Sequence, residues 1–342
     1  MRRKKVHNQQ DIRIEENQMR IGIPKALLYY YYYPFWKELF SQLGAEIVLS
    51  DDTNGKIISE GAAVTVTELC VPIKIFNGHI MDLKEKNVDY IFIPKFHRRG
   101  PEWYCPKFVG IEEIVKYSVD MDKSKFIVVD YITKTDDLGD FKAHLPLCDA
   151  LGVSKSALKE ALKKASAKQK ECRKLCESGY TVAEAYDILD GKQPPKKNEN
   201  PVLTIGLMGY VNNIYDNFVS MNIIKKLREM DVDVITFDMI PEDKIEKKKK
   251  IKQPFWVFAR KIYNASAYIL ENNMADGIIH LTAFGCGPDS IIGKLMEVDC
   301  EEKEIPFMTL RVDEHTGESH VQTRIEAFID MLKRSRKNEV KS

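Results

Sequence analysis

The chain has 342 residues, 44 % of them hydrophobic and 30 % charged, with a formal net charge of +1. Acids and bases so nearly balanced argue against a surface built to cover a polyanion such as nucleic acid, and no apolar run approaches the roughly 18–20 residues of a bilayer-spanning helix. The length exceeds what one compact core usually uses, so two domains are expected.

Residues 1–17 are basic and polar without the apolar stretch of a signal peptide. Residues 1–18 are therefore expected to be a disordered leader, and the chain is expected in the cytoplasm. Regular structure should begin with a strand at 19–23, closed by Pro24. An aromatic helix should follow over 26–43, stopped by Gly44 and kinked or broken at Pro34. The run of tyrosines at 29–33 could form a binding face, but packing between layers is the favoured reading.

A strand at 45–49, a helix opening near Thr53, and strands at 90–93 and 126–130 complete the first half. These strands are continuously apolar rather than alternating, which marks strands buried on both faces of a parallel sheet. With helices between them, a doubly wound α/β lobe is predicted. The stretch 154–177 reads as a charged amphipathic helix and 181–189 as a second helix, followed by a polar, proline-containing linker at 191–201.

A second α/β pattern then starts, with strands at 203–208, 232–237, 277–281 and 306–312 and helices at 217–230, 255–272 and 321–333. The basic stretch 244–252 is expected to be a solvated helix end or loop rather than a phosphate site. The predicted fold class is α/β: two Rossmann-like lobes with parallel sheets joined by a helical bridge. Its expected boundaries are 1–18 leader, 19–137 first lobe, 138–201 bridge and linker, 202–335 second lobe and 336–342 tail.

Seven cysteines in a chain of this size do not read as a disulfide framework in a reducing compartment. Cys172 and Cys176 stand four apart on one face of the charged helix; Cys148 falls in a loop-like segment and Cys300 in an acidic connector. Cys70, Cys105 and Cys286 differ. Each is followed within two residues by proline, in the contexts Cys70-Val71-Pro72, Cys105-Pro106 and Cys286-Gly287-Pro288. Proline favours the first turn of a helix, so all three thiols are expected at helix N-termini, where the dipole lowers a thiol's pKa. Cys105 and Cys286 also lie just beyond parallel strands, where open α/β sheets bind ligands. No Cys-x-x-Cys knuckle of a structural zinc site is present. Three soft thiolates without a clear fourth ligand suit an iron–sulfur cluster with one open or exogenously ligated iron. Cysteines merely buried at helix starts are the competing reading.

Several motifs resemble one family. Arg20-Ile21-Gly22-Ile23-Pro24-Lys25-Ala26-Leu27-Leu28-Tyr29-Tyr30 is similar to the opening of the activase-related branch of the 2-hydroxyacyl-CoA dehydratase superfamily, which includes proteins like the 2-hydroxyglutaryl-CoA dehydratase D-component. So are Glu68-Leu69-Cys70-Val71-Pro72-Ile73-Lys74 running on to Gly78-His79, the Tyr104-Cys105-Pro106-Lys107 turn, Phe284-Gly285-Cys286-Gly287-Pro288-Asp289, and Asp313-Glu314-His315-Thr316-Gly317-Glu318. The resemblance implies a 4Fe–4S cluster between the lobes on Cys70, Cys105 and Cys286. It further implies a low-potential redox component acting on an acyl-CoA or small molecule after reduction by an ATP-dependent activase. Related double-cubane proteins reduce small molecules instead.

Two departures stand out. Relatives often carry a Gly-His-Pro-Tyr-Asn-like turn that here reads Gly209-Tyr210-Val211-Asn212-Asn213, and the chain has no Walker-type phosphate loop. ATP hydrolysis is therefore expected from a partner protein, and a homo- or hetero-oligomer is open. His79 and His315 are the acid–base candidates, each with a structural, hydrogen-bonded histidine as the competing reading; Glu68 and Lys107 are candidates to orient ligands around the cluster. Three functions remain: a dehydrating or reducing enzyme component, a non-catalytic electron carrier or accessory protein, and a metal-free α/β binding protein.

Overall fold

The computed structural model describes residues 18–198, 200–245, 253–314 and 316–339. Two parallel sheets, each with its own helices, account for the two α/β patterns in the sequence.

In the first, β1 (Arg20–Ile23) leads into α1 (Tyr29–Gln42). The helix starts three residues later than its pattern suggests, because Leu27 takes a left-handed conformation at φ 53° and turns the chain first. It runs through Pro34 without a break. β2 (Glu46–Leu49) is followed by α2 (Gly55–Val64), whose first turn is capped by the Asn54 side chain accepting from the Ile57 N–H at 3.1 Å.

α3 (Val71–Glu85) crosses α2 in backbone contact. A Cβ on Gly78 would stand 2.0 Å from the Ile57 carbonyl oxygen, and one on Gly61 2.0 Å from that of Lys74. Only paired glycines permit this crossing, which seats the helix that begins at Cys70.

β3 (Tyr90–Arg99) continues six residues past its expected end, because β5 (Phe126–Thr133) pairs with it along its length across one bulge. Its end folds back through Gly100 into a short antiparallel β4 (Glu102–Trp103). Then come α4 (Pro106–Val109) and α5 (Ile111–Ser118). The sheet order is β2-β1-β3-β5, all parallel, with β4 added at the far end of β3. Trp36, Phe40, Phe92, Phe96 and Tyr131 are fully buried between this sheet and α1, each such side chain stabilising by roughly 1.5–3 kcal/mol.

The bridge consists of α6 (Pro146–Leu151), α7 (Lys155–Glu177) and α8 (Val182–Leu189), the last with a reciprocal capping box between Thr181 and Glu184. Cys148 therefore lies in a helix, not a loop. Cys172 and Cys176 are buried on one face of α7.

The second sheet has the order β7-β6-β8-β9, all parallel. It is built by β6 (Leu203–Met208), α9 (Val211–Tyr215), α10 (Ile223–Glu229), β7 (Val232–Thr236) and α11 (Glu242–Ile245). α12 (Val257–Glu271), β8 (Gly277–Ala283), α13 (Gly287–Glu302), β9 (Phe307–Val312) and α14 (Glu318–Glu339) complete it. β8 is buried at every position, as a central parallel strand should be. The helix expected at 217–230 starts only at Ile223, six residues late. Asp216 accepts the N–H groups of Phe218 (2.9 Å) and Val219 (3.1 Å) in a local turn, and Met221 and Asn222 take left-handed conformations before α10 begins. Cys300, read as part of a connector, is a fully buried residue of α13. Of the basic stretch, Lys244 and Ile245 end α11 and residues 246–252 lie outside the described residues.

A buried charge cluster joins the two sheets' domains. Lys261 of α12, 3 % exposed, pairs with Asp136 and, at 2.9 Å, with Glu242. Arg99 pairs with Asp136 (3.2 Å), Glu102 (3.0 Å) and Glu242. Burial by itself would raise the Asp136 carboxyl, but Lys261 and Arg99 hold it well below the usual carboxylate range. Tyr31 packs edge-on against Phe258 at 5.3 Å beside this cluster, with the Arg173 guanidinium 4.9 Å over its ring.

Candidate metal centre

Cys70, Cys105 and Cys286 are the N-terminal caps of α3, α4 and α13, each with proline in the first turn. None of the three side chains makes a capping hydrogen bond; the Ile73 N–H donates to the Cys70 carbonyl at 3.0 Å and the Phe108 N–H to the Cys105 carbonyl at 2.9 Å. The loops carrying Cys70 and Cys286 meet directly: the Val71 N–H donates to the Phe284 carbonyl at 3.4 Å. Gly285 makes this possible. It takes φ +78°, and a Cβ there would stand 3.2 Å from the Cys70 Cα. Lys74 of α3 reaches Glu314, just after β9, at 2.5 Å, and holds that carboxylate below its usual range against the opposing effect of burial.

The three thiols line one cavity with Leu27, Phe108 and Lys107 from the first half and Tyr210, Asn212 and Asn213 from the second. Each sulfur lies near enough to another for their negative charges to oppose one another, and Tyr210 senses all three. The helix N-termini do not lower the thiol pKa values as expected. Burial outweighs the nearby N–H groups: Cys70 is pushed up to about 11, and Cys105 and Cys286 also rise. Without a bound cation the trio is neutral and a poor nucleophile. Among the described residues no group of three or more His, Cys, Asp or Glu side chains is close enough to hold a single metal ion.

Glu68 is exposed and outside the cavity lining, whereas Lys107 is part of it. His79 stands nine residues beyond Cys70 on α3, about 13.5 Å along the axis, and does not line the cavity. Its Nδ1 faces the Ser50 hydroxyl at 2.8 Å and its Nε2 the Thr53 hydroxyl at 3.0 Å. Ser50 accepts the Lys25 N–H, and Thr53 donates to Asp216 of the second half. An unbroken chain of donors requires the proton on Nε2, giving a neutral imidazole that ties α3 to Asp216. His315 lies outside the described residues. Sequence reasoning missed the His280–Asp289 pair, fully buried at 3.0 Å one turn behind Cys286; a histidine inside an apolar strand and an aspartate in the next helix's first turn were the available signals.

Burial pushes His79 down to about 3 and His144 to about 4. Between pH 6.5 and 3 the unfolded chain binds a proton at His79 that the folded chain refuses, so stability falls as pH falls. By pH 5 His79 alone should cost about 2 kcal/mol. Burial raises Asp216, whose contribution has the opposite sign. Urea unfolding of wild type and His79→Gln at pH 7 and pH 5 isolates the histidine: the variant should lose distinctly less stability than wild type over that interval. Equal losses would contradict the neutral imidazole.

Two parallel α/β units with thiols on helix N-termini around a shared cavity define a class of bilobal, cysteine-bearing α/β proteins. The chain belongs to the family described as CoA enzyme activase uncharacterised domain (DUF2229), whose model matches residues 20–240. Residues 216–332 match the model of the 2-hydroxyglutaryl-CoA dehydratase D-component, so the two matches together run from β1 into α14. No curated protein matches the chain. Among the described residues no helix is long and apolar enough to cross a membrane.

Proposed function

We propose that this chain is an iron–sulfur protein that binds a 4Fe–4S cluster through Cys70, Cys105 and Cys286. We read it as a low-potential redox component acting on an acyl-CoA or similar small molecule after reduction by an ATP-dependent activase. The observation that carries the reading is the meeting of three thiols from helix N-termini of both halves at one cavity.

The donor set fits the group. Three soft sulfur donors from separate helix N-termini line one cavity, a donor set that suits a polynuclear iron–sulfur group, whose thiolates each bind a different iron. When bound, the cluster would supply one-electron chemistry at low potential. The chain's own groups would do the rest. The three helix N-termini would present their positive ends to the ligated sulfurs. The Lys107 ammonium would offset the anionic charge of the thiolates, and Leu27, Phe108 and Tyr210 would exclude water.

Anaerobic purification should give a brown protein with about four irons and matching sulfide per chain. The enzyme reading expects turnover of a 2-hydroxyacyl-CoA when the reduced protein is mixed with an ATP-dependent activase. A second reading, a non-catalytic electron carrier or accessory protein, is favoured by the cavity lining, whose polar groups besides the thiols are Lys107, Tyr210, Asn212 and Asn213, with no carboxylate or histidine among the described residues. Loaded cluster without turnover across a broad acyl-CoA panel would decide for it.

A further inference from the structure

Beyond the cysteine cavity, a second cleft of about 270 Å³ opens at the C-terminal ends of β1 and β2, closed by α8 of the bridge and the Tyr215–Phe218 turn of the second half. C-terminal strand ends are where open parallel sheets bind ligands. The two cavities share no lining residue. We infer that this cleft is a binding site for a small organic cation, an ammonium group carried on an apolar body.

The walls are aromatic. Tyr29 meets Tyr30 edge-on at 5.3 Å and 87°, Tyr29 meets Tyr33 at 4.6 Å, and Tyr33 meets Tyr186 at 5.2 Å, with Phe218, 49 % exposed, at the mouth. The first pair stands edge-on and the other two are tilted by 34° and 49°; clustered aromatic rings, whose faces carry negative potential, are the surroundings that recognise ammonium ions. One ring of the set already holds a cation on a face: Lys37 lies 4.7 Å over Tyr186 while paired with Asp190 at 2.8 Å.

The charge lining agrees. Asp52, Asp187 and Asp216 line the cleft with one basic side chain among its described residues, Lys25; Asp52 pairs with Lys25, Asp187 with Lys192 at 2.8 Å from outside the lining, and Asp216 accepts from the Thr53 hydroxyl. A nucleotide or coenzyme A, with several phosphate charges, would meet carboxylates and no uncommitted ammonium in that lining. A neutral apolar ligand would forgo the ring faces' electrostatic attraction, so a cation on an apolar body matches both walls and charge.

Calorimetric titration of the full chain with benzyltrimethylammonium, choline and 3,3-dimethylbutan-1-ol, the uncharged isostere of choline, tests this. Choline should bind at least about tenfold more tightly than its isostere, and benzyltrimethylammonium at least as tightly as choline. Tyr29→Ala and Tyr186→Ala should each weaken the cations about tenfold, with Tyr186→Phe, which keeps the ring, within about twofold of wild type. Circular dichroism checks folding of the alanine variants, and the choline-to-isostere ratio in wild type needs no variant. Equal binding of choline and its isostere, binding of coenzyme A in place of the cations, or no binding of any probe would overturn the assignment. Cys286→Ala should bind the cations as wild type does, so loss of the cluster proposal leaves this one standing.

Discussion

Replacing Cys70, Cys105 or Cys286 by alanine is expected to strip anaerobically purified protein of nearly all its iron, whereas alanine at Cys148, Cys172, Cys176 or Cys300 leaves the iron content of wild type. The two sets differ in environment. The first three stand at helix N-termini and line one cavity. Cys172, Cys176 and Cys300 are packed into apolar helix faces, and Cys148 is half-buried on α6. A cubane anchored by three protein thiolates loses one iron's ligand with each substitution, and in a cavity whose burial holds free thiols towards their protonated form, the two remaining sulfurs bind iron only by giving up protons against that bias. Iron and sulfide analysis with spin-resonance spectra of the reduced protein reads the outcome. Full iron in any one of the first three variants removes that cysteine from the ligand set; full iron in all three removes the cluster proposal.

Lys261→Met should destabilise the chain by about 3–5 kcal/mol, the usual cost of breaking a buried ion pair from one side. Lys261 is nearly inaccessible, and its removal leaves Asp136 and Glu242 near each other across the two halves, with Arg99 as the cation still paired with both among the described residues. Asp136 then loses the strongest of the charges that offset its burial. That loss is comparable to a large part of a domain's net stability of roughly 5–15 kcal/mol, so Lys261→Arg is the informative partner: it keeps the charge and should recover most of the difference in urea unfolding. A loss below about 1 kcal/mol in Lys261→Met would mean that the cluster is solvated and does not join the halves.

The sequence alone carried the strands and much of the helix pattern, because those signals are local. Continuous apolar runs such as Tyr90-Ile91-Phe92-Ile93 reveal parallel strands, and proline one or two residues after Cys70, Cys105 and Cys286 marks helix starts. It was also specific enough, through motifs spread from Arg20 to Glu318, to indicate the family. Local signals failed where distant pairing set the limits. β3 grew because β5 ran beside it, and the helix expected at 217–230 began only at Ile223, after the turn in which Asp216 meets Thr53, 163 residues away in sequence.

Only the tertiary structure decided which thiols share a cavity and what state they hold there. A helix N-terminus is a short-range, favourable field, but the desolvation that outweighs it comes from Leu27, Phe108 and Tyr210, which converge only on folding. The tyrosine run shows the same division. Composition marked it as a packing element, and Tyr31 and Tyr32 are buried as such; the packing of α8 and the Asp216 turn against α1 leaves Tyr29, Tyr30 and Tyr33 lining a cleft. One helix face can be read from periodicity, but whether that face meets a wall or a void depends on elements more than a hundred residues away.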